Sequence, residues 1–577
     1  MSAERAEGEM DVEEKKTFIE DLLSGMSVEQ KVGQCLVLGF VSTIITPETI
    51  RKIREYHPAG LAGGLKWRIR TAVHDPGGTN VEYARTRMIR LMKGTNRDFL
   101  TDIPCPFFRN EEYCEVINRL KKASIESNNG ICLYLSFDDE GDQSAEYYRD
   151  GYRFMPTYWG ITQLGDKQFA HDVPWAVARQ TLPLGFDWTY SMCVDVNTNP
   201  MNPEIGTRSW SDDPDVVIEM SLRALQGYRD AGMICSGKHF PGRGASVADS
   251  HRGLPVIDIS KEELSSVHLA PYRELFKAGL PSVMTAHTLY PQIDPDYPAT
   301  LSRKITTGIL KEELGFEGCV ILDEITMGGI IERFDVPEAC ILAINAGGDQ
   351  ILFRDEGGII DEAFPALVRA VEDGTIAEER INDAVRRTLS VKYDYGFFEG
   401  DRTVRDPGKA SEGIRDPEVE RISIESGNRS VRVIRDEADL LPLPGDRFIL
   451  LVEQVNPLHE FTNIQQCHPS LLWEKCLEHS DNVGVVECTL HYVEADRERV
   501  RARRDEADMF IVTNYYNRRV GYGNEFVKEI HGWGKPVVVV TNAPFPFTVL
   551  PEYKTVIINY SSSPESYAET ARRLFGS

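Results

Sequence analysis

The pattern of apolar and polar positions changes period regularly through residues 1 to 400. Short apolar runs alternate with longer amphipathic segments, which is typical of strands that alternate with helices. The runs predict strands at 35–40, 59–65, 131–137, 192–196, 233–235, 282–285, 320–322 and 350–353. About eight strand–helix units of this size favour a (β/α)8 TIM-type barrel. An open doubly wound sheet is the alternative, but no G-x-G-x-x-G motif follows an early strand.

Two amphipathic segments have clear ends. Residues 260–278 open on Ser260 with Glu263 in the S-x-x-E pattern of a capping box and stop before Gly279, which predicts a helix. The barrel is predicted to end with a helix over 376–397.

A second α/β pattern follows the barrel. Residues 401–427 are polar and hold Gly, Pro and charged residues, as a linker does. Apolar runs then resume at 447–452, 509–513, 537–541 and 556–560. The chain is therefore predicted to consist of a barrel over 1–400, a linker over 401–427 and a smaller α/β sandwich domain over 428–577.

A basic insertion interrupts the barrel pattern at about 66–110. Connections between a strand and the next helix usually take about 2–6 residues, so this stretch is too long for one. Its first part holds eight basic residues against two acids, Asp75 and Glu82; the basic ones are Lys66, Arg68, Arg70, Arg85, Arg87, Arg90, Lys93 and Arg97. Either it is a surface excursion whose charges pair elsewhere, or it forms a wall at the catalytic face that attracts an anionic leaving portion.

Composition narrows the class of protein. The 577 residues are 41% hydrophobic and 27% charged, which suits a globular protein of two or three domains. A formal charge of −26 argues against non-specific nucleic-acid binding. Residues 1–16 lack the basic and apolar regions of a secretory leader, and no apolar run approaches the ~20 residues of a membrane span. Eleven cysteines without metal-ligand spacing fit reduced thiols, so we expect a cytoplasmic protein without membrane partner or cofactor.

The segment 238–255 carries the densest chemistry and reads KHFPGRGASVADSHRGLP. It follows a predicted strand, and barrel enzymes place their catalytic groups in loops after the strands. Asp249 and His251 lie two positions apart, so a turn would let the carboxylate orient the imidazole. The alternative is a turn in which Asp249 caps backbone groups and His251 is merely exposed.

Other polar residues also follow predicted strands. Asp323 comes directly after an apolar run and is expected at the barrel mouth, unless it caps the next helix. Arg208 lies in a loop after the run at 192–196, where it is suited to hydroxyl contacts or to a structural ion pair. Asp138 and His287 each follow a strand, and Asp138 could accept bonds from sugar hydroxyls or cap a helix.

Taken together, these segments resemble glycoside hydrolase family three, in its β-N-acetylglucosaminidase branch. The matching motifs are KHFPGRG followed by DSH, DVNTNP with IGTRS, MTAH before a Tyr-Pro pair, PATLS and LDEITM. The resemblance covers 26–397 and continues more weakly through the second domain. Two departures stand out: Leu322 replaces the family's Ser or Thr, and the block after Asp138 lacks the family's basic residue.

The resemblance implies roles for seven residues. Asp323 would be the nucleophile of a retaining exo-glycosidase, and His251, paired with Asp249, would be the acid/base. The contacts to the sugar hydroxyls would come from Asp138, Arg208, Lys238 and His239. An imidazole suits the acid/base role because its reference pKa of about 6.5 lets it exchange protons near neutrality.

Three functions remain open at this stage. The first is hydrolysis of terminal β-linked N-acetylglucosamine or a related N-acetylhexosamine from a small glycan or glycoconjugate. The second is phosphorolysis, with phosphate in place of water, and the third is a non-catalytic sugar-binding protein on the same fold. A β-glucosidase is disfavoured because that branch lacks the DSH motif, and the oligomeric state stays undetermined.

Overall fold

The computed structural model describes residues 2–40, 45–63, 109–141, 151–354, 358–398, 403–454, 471–516 and 525–576. The eight basic residues counted in the first part of the predicted insertion at 66–110 lie outside these ranges, so the two interpretations of that segment stay predictions. Among the described residues, no helix combines the length and the apolar character needed to cross a membrane.

Eight parallel strands form the first sheet, and the predicted barrel is confirmed. The strands are β1 Leu36–Phe40, β2 Gly60–Gly63, β3 Tyr134–Phe137, β4 Trp188–Thr189, β5 Ile234–Phe240, β6 Ser282–Thr285, β7 Cys319–Leu322 and β8 Ile351–Leu352. Their order in the sheet is β7-β6-β5-β4-β3-β2-β1-β8. An isolated parallel bridge between Ile321 and Gln350 joins β7 to the entry of β8, where the sheet closes on itself.

Large side chains fill the inside of the barrel. The rings of Tyr134 and Trp188 lie 4.6 Å apart there, and Tyr134 Oη donates a hydrogen bond of 2.6 Å to Gln350 Oε1. Gly60 opens β2 against this cluster, because a Cβ at that position would lie 2.4 Å from the Tyr134 ring. The interior is a packed core, so a substrate has access only to the end of the barrel.

Helices surround the barrel and complete the second domain. They cover Ser2–Ser24, Val28–Gly33, Pro47–Tyr56, Asn110–Ser127, Tyr158–Thr162, Phe169–Thr181, Pro214–Ala231, Lys261–Glu263, Ala270–Lys277, Gly328–Ile331, Val336–Ala346, Ile360–Glu372, Glu378–Asp394, Pro417–Arg429, Leu471–Leu477, Glu494–Ala502, Glu525–His531 and Pro564–Phe575. The helix predicted over 376–397 is confirmed within a few residues at each end.

Two predicted elements near the site differ in the structure. The strand predicted at 192–196 is wrong, since the fourth strand is Trp188–Thr189. Within 192–196 only an isolated parallel bridge forms, between Cys193 and Lys238. Beyond it the Asp195 carboxylate accepts from the backbone N–H of His239 and of Arg243. The strand predicted at 233–235 extends through β5 to Phe240, so Lys238 and His239 lie in the strand and not in the loop after it.

The helix predicted over 260–278 is interrupted. Its first turn is Lys261–Glu263, with the Ser260 side chain accepting from the Glu263 backbone N–H as the capping pattern predicts. A π-helical segment, Leu264–His268, precedes the final helix Ala270–Lys277.

The second domain is a six-stranded sheet with apolar clusters on both faces, which confirms the predicted α/β sandwich. Its strands are β9 Val431–Asp436, β10 Ile449–Gln454, β11 Val483–Cys488, β12 Met509–Thr513, β13 Val537–Thr541 and β14 Thr555–Asn559. Their order in the sheet is β11-β10-β12-β13-β14-β9, and only β9 runs antiparallel to its neighbour. The apolar pattern missed β9 and β11, which are the two edge strands and are only partly buried.

The second domain lies against the barrel. The backbone N–H of Thr157 donates to the carbonyl of Tyr560 at 3.0 Å, and the rings of Trp159 and Phe545 are 5.3 Å apart. Helix Pro417–Arg429 contacts helices of both domains although it begins within the predicted linker at 401–427. The boundaries at 400 and 428 stay predictions.

Candidate active site

The structure brings all seven predicted site residues to one end of the barrel. Parallel strands share one carboxyl-terminal edge, so residues at or after different strands meet at the same mouth. The residues are Asp138 after β3, Arg208 in the loop after β4, Lys238 and His239 in β5, Asp249 and His251 in the loop after β5, and Asp323 after β7.

Asp249 and His251 form a local pair. The His251 Nδ1 atom lies 2.7 Å from Asp249 Oδ1, and the His251 backbone N–H donates to the same oxygen at 2.9 Å. Burial opposes ionisation of Asp249, but the hydrogen bonds from His251 outweigh it and hold the pKa of Asp249 below its usual range. The His251 side chain is 35% exposed, so its ring is accessible from the mouth while its orientation is fixed.

Glu204 is a third acidic residue at this pair and was not predicted from the sequence. Its Oε1 lies 3.3 Å from His251 Nδ1, and its other oxygen accepts from the Ser250 backbone N–H at 3.2 Å. Burial opposes its ionisation, yet the charge of Arg243 and the contact with His251 hold the pKa of Glu204 well below its usual range. The available signal was its position between the DVNTNP and IGTRS motifs, directly before Ile205.

Arg243 connects this acid to Asp323. Its Nη2 lies 2.9 Å from Glu204 Oε1 and 3.5 Å from Asp323 Oδ2, and its Nη1 donates to Ser250 Oγ at 2.7 Å. Burial would lower the pKa of Arg243, but the carboxylates of Glu204 and Asp323 raise it. The guanidinium is therefore a permanent cation between the two ends of the site.

Asp323 is oriented by its own chain as well. The backbone N–H of Glu324 donates to Asp323 Oδ1 at 2.9 Å, and the Asp323 side chain is 14% exposed. His287 supports this turn from below: its Nε2 is 2.8 Å from the Glu324 carbonyl and its Nδ1 is 2.8 Å from Thr300 Oγ1. Burial lowers the pKa of His287, so it acts as a neutral hydrogen-bonding group.

A second cluster lies on the side of β3. Lys238 Nζ contacts Asp138 Oδ1 at 2.7 Å and also the buried carboxylate of Glu140, which Arg208 contacts as well. Burial opposes ionisation of Glu140, but the charges of Arg208 and Lys238 lower its pKa. Arg354, which the sequence analysis did not single out, donates to Asp138 Oδ2 at 2.8 Å. Asp138 is thus held at both oxygens.

His239 is neutral and directed. Burial, with the charges of neighbouring Arg243, Arg208 and Lys238, holds the pKa of His239 well below its usual range. Its Nδ1 lies 2.7 Å from Asp195 Oδ2, which assigns the proton to that nitrogen, and its Nε2 lies 3.4 Å from Arg208 Nη2 as an acceptor. Asp195 was not predicted.

Two sets of potential metal ligands occur among the described residues. They are Cys193 with Asp195 and His239, and Glu204 with Asp249 and His251, with ligand atoms within 4.8 Å of one another in each set. Burial holds the pKa of Cys193 well above its usual range, so its thiol stays protonated. In the second set Arg243 already neutralises Glu204. Both sets are explained by hydrogen bonds and ion pairs within the protein.

The arrangement has the parts of acid–base and nucleophilic chemistry at one mouth. A partly exposed carboxylate, Asp323, lies on one side, and a partly exposed imidazole, His251, with two carboxylate partners lies on the other. The cluster around Asp138 adds oriented donors and acceptors suited to hydroxyl groups.

Two proteins named as β-hexosaminidases are similar to this chain in sequence. A "Beta-hexosaminidase A" of Pseudoalteromonas piscicida is 31% identical over 296 residues, 48% of this chain and 50% of that protein. A "Beta-hexosaminidase" of Alkalilimnicola ehrlichii is 32% identical over 273 residues, 46% of this chain and 76% of that protein. The match to the first of these relatives spans about half of its length.

Solved structures share the fold over both domains. A glycoside hydrolase family 3 β-N-acetylglucosaminidase from Paenibacillus sp. superposes with a TM-score of 0.79 at 24% identity, covering 96% of this chain and 97% of that chain. A β-glucoside phosphorylase superposes with a TM-score of 0.76 at 20% identity, covering 98% and 94%.

A family model matches the barrel from its third strand onward. The Glycosyl hydrolase family 3 N terminal domain matches residues 103–391, from the segment before helix Asn110–Ser127 to the last barrel helix. That match is half of the chain and includes every predicted site residue. The chain therefore belongs to glycosyl hydrolase family 3.

Proposed function

We propose that the protein is a retaining exo-acting glycosidase that removes terminal β-linked N-acetylglucosamine or a related N-acetylhexosamine. The observation that carries this proposal is the pairing of His251 with Asp249 at the same mouth as Asp323. The names of three relatives in sequence, β-hexosaminidases from different bacteria, support it.

In the first step Asp323 acts as the nucleophile. One of its oxygens forms a bond to the anomeric carbon while the bond from that carbon to the leaving oxygen breaks, which gives a covalent glycosyl-enzyme. The contact with Arg243 orients the Asp323 carboxylate for this attack. The leaving oxygen takes a proton from His251.

His251 is suited to this proton transfer by its partners. Asp249 and Glu204 both face Nδ1, so the proton exchanged with the substrate is assigned to Nε2. Their negative charges stabilise the protonated imidazole that donates in the first step. In the second step a water gives its proton to His251 while its oxygen attacks the anomeric carbon and releases Asp323.

The cluster on the side of β3 would bind the sugar itself. Asp138 would accept hydroxyl hydrogens, and Arg208, Lys238 and His239 would contact neighbouring hydroxyls. Lys238 forms an ion pair with Asp138, Arg208 pairs with Glu140, and the His239 ring bonds to Asp195. These contacts fix the groups before the substrate arrives, so little ordering remains to be done on binding.

Phosphorolysis is the alternative that the site also permits. Phosphate would attack the anomeric carbon in the second step, and it needs no proton removed by His251. An imidazole in place of an acid carboxylate adds no negative charge where that anion approaches. A non-catalytic sugar-binding protein is the other alternative.

A panel of nitrophenyl β-glycosides, assayed with and without inorganic phosphate, tests the proposal. Hydrolysis of the N-acetylglucosaminide at a rate independent of phosphate supports the glycosidase. Release of a sugar 1-phosphate, with a rate that rises with phosphate, would replace it by the phosphorylase. Binding of N-acetylglucosamine without turnover of any member would leave the sugar-binding protein.

A further inference from the structure

The segment that carries Glu204 is contacted by the second domain. The Tyr516 hydroxyl donates a hydrogen bond of 2.6 Å to the carbonyl of Pro203, the residue directly before Glu204. Tyr516 is buried and follows β12 of the second domain. A residue of the smaller domain thus bonds the backbone next to the acid that faces His251.

Tyr516 is itself held in place. Its backbone N–H donates to Asn542 Oδ1 at 2.7 Å, and Asn542 Nδ2 donates back to the Tyr516 carbonyl at 3.0 Å. The Phe547 ring lies 5.1 Å from the Tyr516 ring. Because both Asn542 and Phe547 follow β13, the end of the sheet fixes the hydroxyl that reaches the barrel.

The Tyr516 ring also packs on the turn after Glu204. Gly206 has a φ of +50°, and a Cβ there would lie 3.1 Å from Tyr516 Cε1 and 3.5 Å from Phe545. A side chain at this position would meet both the backbone penalty and the ring. The close approach fixes the short helical turn Gly206–Arg208 against the second domain.

The barrel holds the same segment from the other side. Asn202 Oδ1 accepts from the backbone N–H of Glu204 at 2.9 Å and of Ile205 at 3.0 Å. Asn202 Nδ2 donates to the carbonyl of Arg243 at 2.9 Å. Pro203 and Glu204 therefore lie between several contacts from the barrel and the contact from the second domain that Tyr516 supplies.

We propose that Tyr516 is a positioning residue of the second domain that sets the Glu204 carboxylate and, through it, His251 and Arg243. This inference rests on the proposed function for its kinetic consequence, but the geometry is independent of the substrate. Displacement of a supporting group by about 1 Å can cost an enzyme on the order of 100-fold in rate. Loss of one contact while the others remain is expected to cost less, about tenfold.

The charged groups around His251 determine how a shift of Glu204 would change the environment of the imidazole. Asp249 and Glu204 contact the ring directly. Arg243 lies behind Glu204, and the electrostatic effect of His251 also reaches His239 and His287. Of the two acids at the ring, only Glu204 is attached to the segment that Tyr516 bonds, so a Tyr516 variant should alter one of the two carboxylate contacts.

The test compares Tyr516→Phe with Tyr492→Phe. Tyr492 is a matched control because its buried hydroxyl also donates to a backbone carbonyl, that of Thr513 at 2.7 Å, but within the second domain. Both variants keep their rings and each loses one hydrogen bond. We expect Tyr516→Phe to reduce kcat on the nitrophenyl N-acetylglucosaminide about tenfold with KM changed less than about twofold, while Tyr492→Phe changes neither by more than about twofold.

A second readout needs no substrate. Diethyl pyrocarbonate modifies neutral imidazole, so the pH dependence of His251 carbethoxylation, followed by peptide mass spectrometry in the full-length protein, reports its protonation. We expect the midpoint to move to lower pH in Tyr516→Phe and to stay unchanged in Tyr492→Phe. Identical kinetics and identical midpoints in the two variants would overturn the inference, and so would a loss confined to KM with an unchanged midpoint.

The two proposals fail differently. If the wild-type protein cleaves no N-acetylhexosaminide, the proposed function is wrong. The pH midpoint of His251 carbethoxylation still tests whether Tyr516 is a positioning residue. If the wild type is active and Tyr516→Phe matches Tyr492→Phe in both readouts, the function stands and the role of Tyr516 is wrong.

Discussion

The carboxylate of Glu204 lies 2.9 Å from the guanidinium of Arg243, and each side chain is only 1% exposed. A buried pair of this kind is costly to break, because removal of one charge leaves the other without a partner. Here the pair also connects the two candidate catalytic groups, since Glu204 faces His251 and Arg243 faces Asp323. A change at either residue is therefore expected to affect both stability and rate.

The first prediction concerns Glu204→Gln. The free energy of unfolding at pH 7 should fall by about 3 kcal/mol, since the buried Arg243 loses its counter-charge, and kcat should fall about 100-fold. A lowered pKa of Glu204 in the fold means that its stabilisation is complete above the unfolded pKa of about 4.3 and is lost as the pH falls from there through the folded pKa.

Urea denaturation at pH 7 and at about pH 4 measures this difference, which should shrink at the lower pH. Glu332→Gln is the control: Glu332 is an exposed carboxylate near Gly253 and should change stability by less than about 0.5 kcal/mol. Equal changes in the free energy of unfolding in the two variants would show that the ion pair of Glu204 does not stabilise the fold.

The second prediction identifies the nucleophile. Asp323→Ala should reduce turnover by at least about 1,000-fold with little loss of stability, because Asp323 lies at the mouth and not in the core. A mechanism-based fluoro-sugar should label the wild type at Asp323, as detected by peptide mass spectrometry. Glu324→Gln is the neighbour control and should keep the labelling, whereas a label on any residue but Asp323 would refute the assignment.

The third prediction separates acid catalysis from a structural role of His251. His251→Ala should lose much more activity on alkyl glycosides, whose leaving groups need a proton, than in the glycosylation step with nitrophenyl glycosides. Pre-steady-state release of nitrophenol measures that step directly. Equal losses with both kinds of leaving group would assign His251 to structure alone.

The fourth prediction follows from the lowered pKa of Asp249, which keeps this carboxyl ionised beside His251 throughout the neutral range. Asp249→Asn removes that negative charge, so the protonated imidazole is less stable and the alkaline limb of the pH–rate profile should move to lower pH by about one unit. Asp258→Asn, at an exposed position of the same loop region, should leave the limb in place. A profile unchanged in Asp249→Asn would contradict the pairing.

The fifth prediction concerns the sugar. The kcat/KM for the nitrophenyl N-acetylglucosaminide should exceed that for the nitrophenyl glucoside by at least about 100-fold, because the glucoside lacks the 2-acetamido group that the proposed N-acetylhexosaminidase would bind. Parallel assays at one enzyme concentration suffice. Comparable values for the two sugars would assign the protein to glucosidase chemistry instead.

The sequence by itself determined the barrel and the local pair. The strands of the barrel are buried on both faces, so their apolar runs stand out along the chain, and all but the fourth lie at or close to their predicted places. Asp249 and His251 are only two positions apart, so the conformation of one turn is enough to bring their side chains into contact. The roles of Asp138 and Lys238, 100 positions apart, came from the resemblance and not from any spacing.

Only the tertiary structure decided the contacts between distant segments. Glu204 and Ser250 are 46 positions apart, and Pro203 and Tyr516 are 313 apart and belong to different domains. No periodicity relates such residues, because barrel closure and the packing of one domain on the other bring them together. Glu204 in isolation is one acid among many, and it gains its place only where a buried carboxylate meets a buried guanidinium, since burial of either charge alone would be too costly.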